Sequence, residues 1–170
     1  MCNLYAPVPI EKSHLRSHFE CGEESLDNYV RKQVNQDLRR KLCTCFVIVE
    51  ENEVIGYYTL SSAGISKDLV PEEISKKMPP AYIELPVTLL GRIAVSEKKK
   101  GNGLGELLLL DALKRSYLIS ESWIGSMAVV ADPINNSEGF YKKYGFIQLP
   151  DSMRMFMPMK TIASLFSLKI

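Results

Sequence analysis

Lys100-Gly101-Asn102-Gly103-Leu104-Gly105 is the stretch on which the reading of this 170-residue chain turns. It follows the strand-like run Leu89-Leu90-Gly91-Arg92-Ile93-Ala94-Val95 and opens directly onto a leucine-rich helical pattern. Three glycines in five positions let the backbone turn sharply and lay its N–H groups bare. A helix beginning in that turn adds unpaired amide donors and the positive end of its dipole. Together they make a cradle for a diphosphate, which points to a phosphate-bearing cofactor on a strand–loop–helix unit. A plain glycine turn between a charged run and a helix is the alternative.

Spacing narrows the cofactor. The dinucleotide fingerprint needs its last glycine where this chain has Glu106. The nucleotide-triphosphatase loop needs a closing Gly-Lys-Ser/Thr, which is missing. A second signal lies further on. Val129-Val130 reads as the end of a strand. Asn135-Asn136-Ser137-Glu138-Gly139-Phe140-Tyr141-Lys142-Lys143-Tyr144-Gly145-Phe146 reads as a short helix stopped by Gly145 in a left-handed turn.

The first stretch resembles the acyl-CoA loop of the GNAT superfamily of N-acetyltransferases. Lys100, Gly103 and Gly105 fill its slots, with Lys where Gln or Arg is usual. Phe-Tyr-Lys-Lys-Tyr-Gly-Phe resembles the superfamily's second signature, an aromatic helix followed by Gly-Phe and a final hairpin. The resemblance implies an α/β (α+β) GNAT fold, with a mixed central sheet of about six to seven strands flanked by helices and a V-shaped acyl-CoA cleft. It also implies acetyl-CoA as co-substrate, held by Ile93, Ala94, Val95, Lys100, Gly101, Asn102, Gly103, Leu104 and Gly105. Many members carry an Asn seven residues before the tyrosine. That slot is Ile134 here, so an Asn contact falls to the nearby Asn136.

Composition fits one compact enzyme domain over residues 1–170. Hydrophobic residues make up 46% and charged residues 24%, with no repeat or low-complexity segment. Glu84 and Arg92 interrupt the most apolar stretch, so no membrane span is expected. Residues 1–5 lack a signal-peptide pattern, which makes the cytoplasm the expectation. Cys43 and Cys45 would face one side of a strand in poor disulfide geometry, and Cys2 and Cys21 have no spacing partner; all four read as reduced thiols. His14 and His18 lack the flanking carboxylate and second ligand cluster of a metal site, so no metal is expected and surface or capping roles fit them better.

Periodicity predicts a strand at 3–8, a helix at 10–18, and a long helix from a Ser25 N-cap to about residue 42. A hairpin is expected at 43–50 and 53–63, turning at Glu51-Asn52. A helix at 71–78, a strand at 85–95 and the cofactor helix from 103 to about 120 come next. The cofactor helix buries Leu104, Leu107, Leu108, Leu110 and Leu113, leaving Asp111, Lys114 and Arg115 wet. A strand at 125–131, a helix at 135–144, a terminal strand at 153–159 and a tail helix complete the order.

Resemblance extends over residues 8–162. Phe19-Glu20-Cys21-Gly22, Leu26-Asp27-Asn28-Tyr29-Val30, Val54-Ile55-Gly56-Tyr57-Tyr58-Thr59-Leu60, Leu90-Gly91-Arg92-Ile93-Ala94-Val95 and Met157-Pro158-Met159-Lys160-Thr161-Ile162 are similar to segments of GNAT-type toxins. Those toxins belong to type II toxin–antitoxin pairs with ribbon–helix–helix antitoxins. They acetylate the α-amine of aminoacyl-tRNA and block translation. The resemblance therefore implies an aminoacyl-tRNA substrate, a ribbon–helix–helix antitoxin and a homodimer.

The chemistry needs a neutral amine, donors for the developing oxyanion and a proton for the leaving thiolate. Backbone N–H groups of Ile93, Ala94 and Val95, splayed from the strand at 125–131, suit the oxyanion and pantetheine. The resemblance puts the catalytic tyrosine at Tyr141, where a lowered phenol pKa or synchronous transfer would help; a core aromatic is the alternative. No general base stands out. An α-amine near ~7.7–8.0 needs less help than a lysine near ~10.4, so the amine is expected to lose its proton to water, with Glu84 as fallback.

The net charge of +1 argues against a globally basic nucleic-acid binder. Local basic groups remain: Arg31, Lys32, Arg39, Arg40 and Lys41; Lys76 and Lys77; Lys98, Lys99 and Lys100; Lys142 and Lys143. Each is either part of a tRNA seat or solvated surface. Other readings are a GNAT acting on a small amine or protein N-terminus, and a silent acyl-CoA-binding module.

Overall fold

The computed structural model describes residues 5–150 and 152–167. Its seven strands are β1 (Val8–Pro9), β2 (Thr44–Glu50), β3 (Glu53–Ser66), β4 (Glu84–Val95), β5 (Ala128–Ala131), β6 (Ile147–Gln148) and β7 (Met155–Pro158). Its α-helices are α1 (Glu24–Asn28), α2 (Val34–Arg39), α3 (Glu72–Ser75), α4 (Leu104–Ser122), α5 (Glu138–Lys143) and α6 (Met159–Leu165). The strands form one mixed sheet in the order β1-β2-β3-β4-β5-β7-β6, with β4 and β5 parallel. This is the α/β architecture of mixed sheet and flanking helices expected from the sequence.

Two compact units divide the chain. One comprises residues up to Ser61 with Gly91–Ala112, the other Ser62–Leu90 with residues from Leu113 onward. In the first unit the β2–β3 hairpin turns through Glu51 and Asn52, both at positive φ (50° and 68°), the handed turn that suits twisted strands. Its core gathers Phe19, Tyr29, Val30, Val34, Val47, Val54 and Tyr57. The Tyr57 hydroxyl donates to the Leu26 carbonyl at 2.7 Å, so burying that ring strands no polar group. Helix α4 approaches β3 at Gly56, where an added Cβ would sit 3.0 Å from a Leu108 methyl. In the second unit Leu85, Val87, Ala128, Val130, Leu149 and Phe156 form the core. All four residues of β5 are buried, as suits a strand parallel to β4 and antiparallel to β7.

Several expected elements take other forms. Residues 10–18 are turns, because the segment pairs with the hairpin tip: the Leu15 amide donates to Asn52 and the Leu15 carbonyl accepts from Val54, both at 2.8 Å. The Ser25 hydroxyl donates to the Glu23 carboxylate and caps nothing; the helix starts at Glu24. It passes through a π-helical turn (Tyr29–Gln33) before α2 and stops at Arg39, short of residue 42, with Lys41 left-handed at φ 59°. The helix at 71–78 shortens to α3, preceded by a 3-10 turn at Lys67–Leu69. The helix at 135–144 begins only at Glu138, because Asn135 and Asn136 sit at positive φ. Of the strand expected at 3–8, residues 5–7 are irregular and only Val8 belongs to β1, which pairs with β2 at Val8 and Pro9; residues 3–4 and Cys2 lie outside the described residues.

In α4 the buried stripe is shifted. Leu104, Leu108, Leu109, Ala112, Leu113, Ser116 and Tyr117 are buried, whereas Leu107 and Leu110 are half-buried. Asp111 is not wet: it is half-buried and accepts a 2.5 Å hydrogen bond from the Tyr58 hydroxyl. Leu104, Leu108 and Leu113 face the core as expected, but leucines on every side of the helix blur its stripe, and Leu109 and Ala112 are buried where Leu107 and Leu110 were expected. Strand β7 is interior, between β5 and β6, with Met155, Phe156 and Met157 fully buried.

Candidate active site

β4 ends at Val95, a 3-10 turn covers Glu97–Lys99, and the glycine loop delivers the chain into α4 at Leu104. Gly101 and Gly103 have φ of 80° and 75°, the left-handed region that an L side chain reaches only with strain. An added Cβ at either would meet nothing within 4 Å. These glycines are therefore needed for conformation, and the space beside them is open. Asn102 holds the turn by donating from Nδ2 to the Lys99 carbonyl at 3.1 Å. The first intrahelical bond, Leu107 amide to Gly103 carbonyl at 3.1 Å, leaves the amides of Leu104, Gly105 and Glu106 ahead of it. Gly101 to Gly105 thus form a left-handed turn that leads straight into a helix N-terminus.

Lys100, which fills the first slot of the loop, has partners within the protein. Its ammonium donates to the Cys21 carbonyl at 2.7 Å and to Glu97 Oε1 at 2.6 Å, so it is tied into the protein. Upstream, the β4–β5 pairing covers Thr88, Leu89 and Leu90 and goes no further among the described residues. Ile93, Ala94 and Val95 thus continue β4 beyond that ladder. Ala94 is buried, and Ile93 and Val95 are half-buried.

A scan of family models matches residues 41–148 to the acetyltransferase (GNAT) domain. The chain belongs to the GNAT acetyltransferase family. It is 32% identical to a tRNA-acetylating toxin of Mycobacterium tuberculosis over 97% of this chain and 98% of that one. Among solved structures, AtaT complexed with acetyl-methionyl-tRNAfMet superposes with a TM-score of 0.86 at 26% identity, covering 95% of this chain and 99% of that one. AtaTR bound with AcCoA superposes with a TM-score of 0.83 at 26% identity, covering 95% and 98%.

In the second unit of this GNAT chain, Tyr141 is a buried residue of α5. Its ring meets Phe140 and Phe146 edge-on, each at 5.3 Å between centroids. Burial, and secondarily the Asp132 carboxylate, push its phenol up to about 12. The lowered pKa that would ease proton donation is thus not what this environment produces: an apolar surround disfavours phenolate. Asp132 itself is held by Arg154 through two parallel bonds of 2.7 and 2.8 Å. Asn136 is exposed at φ 60° in the turn before α5. Glu84, the fallback base, opens β4 and lies across Gly64 of β3, where an added Cβ would collide with its carboxylate.

His14 accepts the Glu11 amide through Nδ1 at 3.0 Å, a local turn cap. Cys21, Cys43 and Cys45 are free thiols. Burial pushes Cys21 up to about 11 and Cys45 up to about 12, which makes both poor nucleophiles. Among the described residues no three His, Cys, Asp or Glu gather where a metal could bind, and no helix is long and apolar enough to cross a membrane. Of the basic residues, Lys76 pairs with Glu72, Lys99 with Glu50, and Lys143 lies 5.2 Å above the Tyr144 ring. Arg39 and Arg40 are exposed.

Two further residues tied to this region carry no motif of their own in the sequence. Asp27 is a buried carboxylate that accepts the Cys21 amide at 2.8 Å, and Glu97 pairs with Lys100. The signal that could have found them is Gly22, whose requirement for φ 90° marks a constrained turn.

Proposed function

We propose that the protein transfers the acetyl group of acetyl-CoA to the α-amine of aminoacyl-tRNA, and that it blocks translation as the toxin of a type II pair. The observation that carries this reading is the near full-length similarity to a tRNA-acetylating toxin, combined with left-handed Gly101 and Gly103 at the head of α4. The AtaT complex with acetyl-methionyl-tRNAfMet supports the acceptor, and the AcCoA-bound AtaTR structure supports the donor. Gly101, Asn102, Gly103, Leu104 and Gly105 hold the diphosphate through backbone amides, with Asn136 a further contact. Ile93, Ala94 and Val95 offer amides to the pantetheine arm and to the oxyanion.

The neutral α-amine attacks the thioester carbonyl and forms a tetrahedral intermediate. Collapse breaks the C–S bond, leaves the N-acetyl product and sends the electron pair to sulfur. Tyr141 gives its proton to that thiolate as it forms and is reprotonated from solvent. The amine's own proton passes to water. The chain works as one catalytic domain, as a homodimer, and pairs with a ribbon–helix–helix antitoxin; the toxin-like segments from 8 to 162 support these assignments.

Labelled acetyl-CoA incubated with charged total tRNA tests the reading. Label in the aminoacyl-tRNA fraction, lost on mild base treatment that cleaves the ester, is the expected result. Label only on small amines or protein N-termini points to the other GNAT chemistries. No thiol release with any amine overturns the enzyme reading altogether.

A further inference from the structure

We propose that Gly22, Asp27, Glu97 and Lys100 form a brace that holds the glycine loop in its binding shape, so that Lys100 acts on the acyl donor through the loop. This rests on the acetyl-CoA reading above and assigns positioning residues to that site. The bonds run in series. Asp27, buried, accepts the Cys21 amide at 2.8 Å, and the Cys21 carbonyl accepts from Lys100 Nζ at 2.7 Å. The same ammonium bonds Glu97 Oε1 at 2.6 Å, and the Glu97 amide donates to the Glu20 carbonyl at 2.8 Å. Gly22, at φ 90°, lies against the Glu97 carboxylate so closely that an added Cβ would collide with it.

Two independent ties therefore pin the 20–22 turn to the 97–100 segment, one through the Lys100 side chain and one through the Glu97 backbone. An anion-binding loop made of amides works only when those amides are already aimed, since aiming them on binding costs conformational entropy. Gly101 and Gly103 give the loop its shape but also the freedom to lose it. The brace restores that rigidity from outside. Two of the three ammonium protons of Lys100 are committed to it, and Glu97 offsets its charge.

The test compares acetyl-CoA with S-acetylpantetheine, which lacks the diphosphate. Binding is read by calorimetry for the first and saturation-transfer NMR for the second. Gly22→Ala, Asp27→Ala and Lys100→Met should each weaken acetyl-CoA binding about tenfold, the scale of one lost charge-assisted hydrogen bond, and leave S-acetylpantetheine unchanged. Asp27→Asn, whose amide oxygen still accepts the Cys21 amide, should recover most of the loss. Because Asp27 and Lys100 act in one chain, the Asp27→Ala/Lys100→Met double variant should be little worse than either single. Multiplicative losses, a silent Gly22→Ala, or equal weakening of both ligands overturns the brace. Unaltered protein that does not bind acetyl-CoA would instead overturn the donor reading.

Discussion

Replacing Tyr141 with Phe removes one oxygen and little else. The ring keeps its edge-on contacts with Phe140 and Phe146, and no described residue hydrogen-bonds the hydroxyl, so stability should change by less than about 1 kcal/mol. Activity should respond far more. A phenol raised to about 12 lies about 3.5 units above a thiol near ~8.5, so a completed transfer to free thiolate costs about 5 kcal/mol. Stepwise donation is slow on that scale, and the proton must move as the C–S bond breaks. Loss of such a positioned acid lowers turnover by about 10²–10⁴-fold. Single-turnover acetylation with labelled acetyl-CoA and charged tRNA, beside calorimetry for acetyl-CoA, separates the effects. Unchanged donor affinity with a collapsed rate is expected. A Tyr141→Phe rate within about threefold of the parent, at full foldedness, refutes the acid role.

Because the folded phenol pKa lies above the free value of ~10, its contribution to stability is complete below about pH 10 and fades as pH rises toward about 12. Turnover should accordingly show no loss from phenol ionisation below about pH 11, as read in a pH–rate profile. Asp132→Asn removes the secondary cause of the shift and should lower the phenol pKa without returning it to the free value, measured by ultraviolet titration; an unchanged titration would show that burial acts alone. Gly103→Ala finds empty space but a left-handed φ, and should cost about 1–2 kcal/mol of strain in thermal unfolding while weakening acetyl-CoA binding. Charge reversal at the exposed Arg39 and Arg40 should weaken tRNA acetylation and make its loss with salt shallower while sparing acetyl-CoA binding; equal activity discards that patch as a tRNA seat.

The sequence by itself determined the parts governed by neighbours along the chain. Gly101 and Gly103 announced a left-handed turn before a helix, Gly145 stopped α5, and Glu51-Asn52 turned the hairpin, because each depends on backbone sterics within a few residues. Alternation and apolar runs placed β2, β3 and β4 within a few positions for the same reason. Tertiary structure alone decided where backbone bonds and charges found distant partners. Residues 10–18 abandoned a helix because the hairpin tip offered their amides other acceptors, and Asp111 left water to accept the Tyr58 hydroxyl. Lys100 fills the loop's first slot, and only the fold shows that its ammonium also reaches a carbonyl 79 positions earlier. Burial likewise raised Tyr141, where the chemistry would have welcomed a lowered pKa. Desolvation and long-range hydrogen bonding depend on which surfaces meet, and no local pattern encodes that.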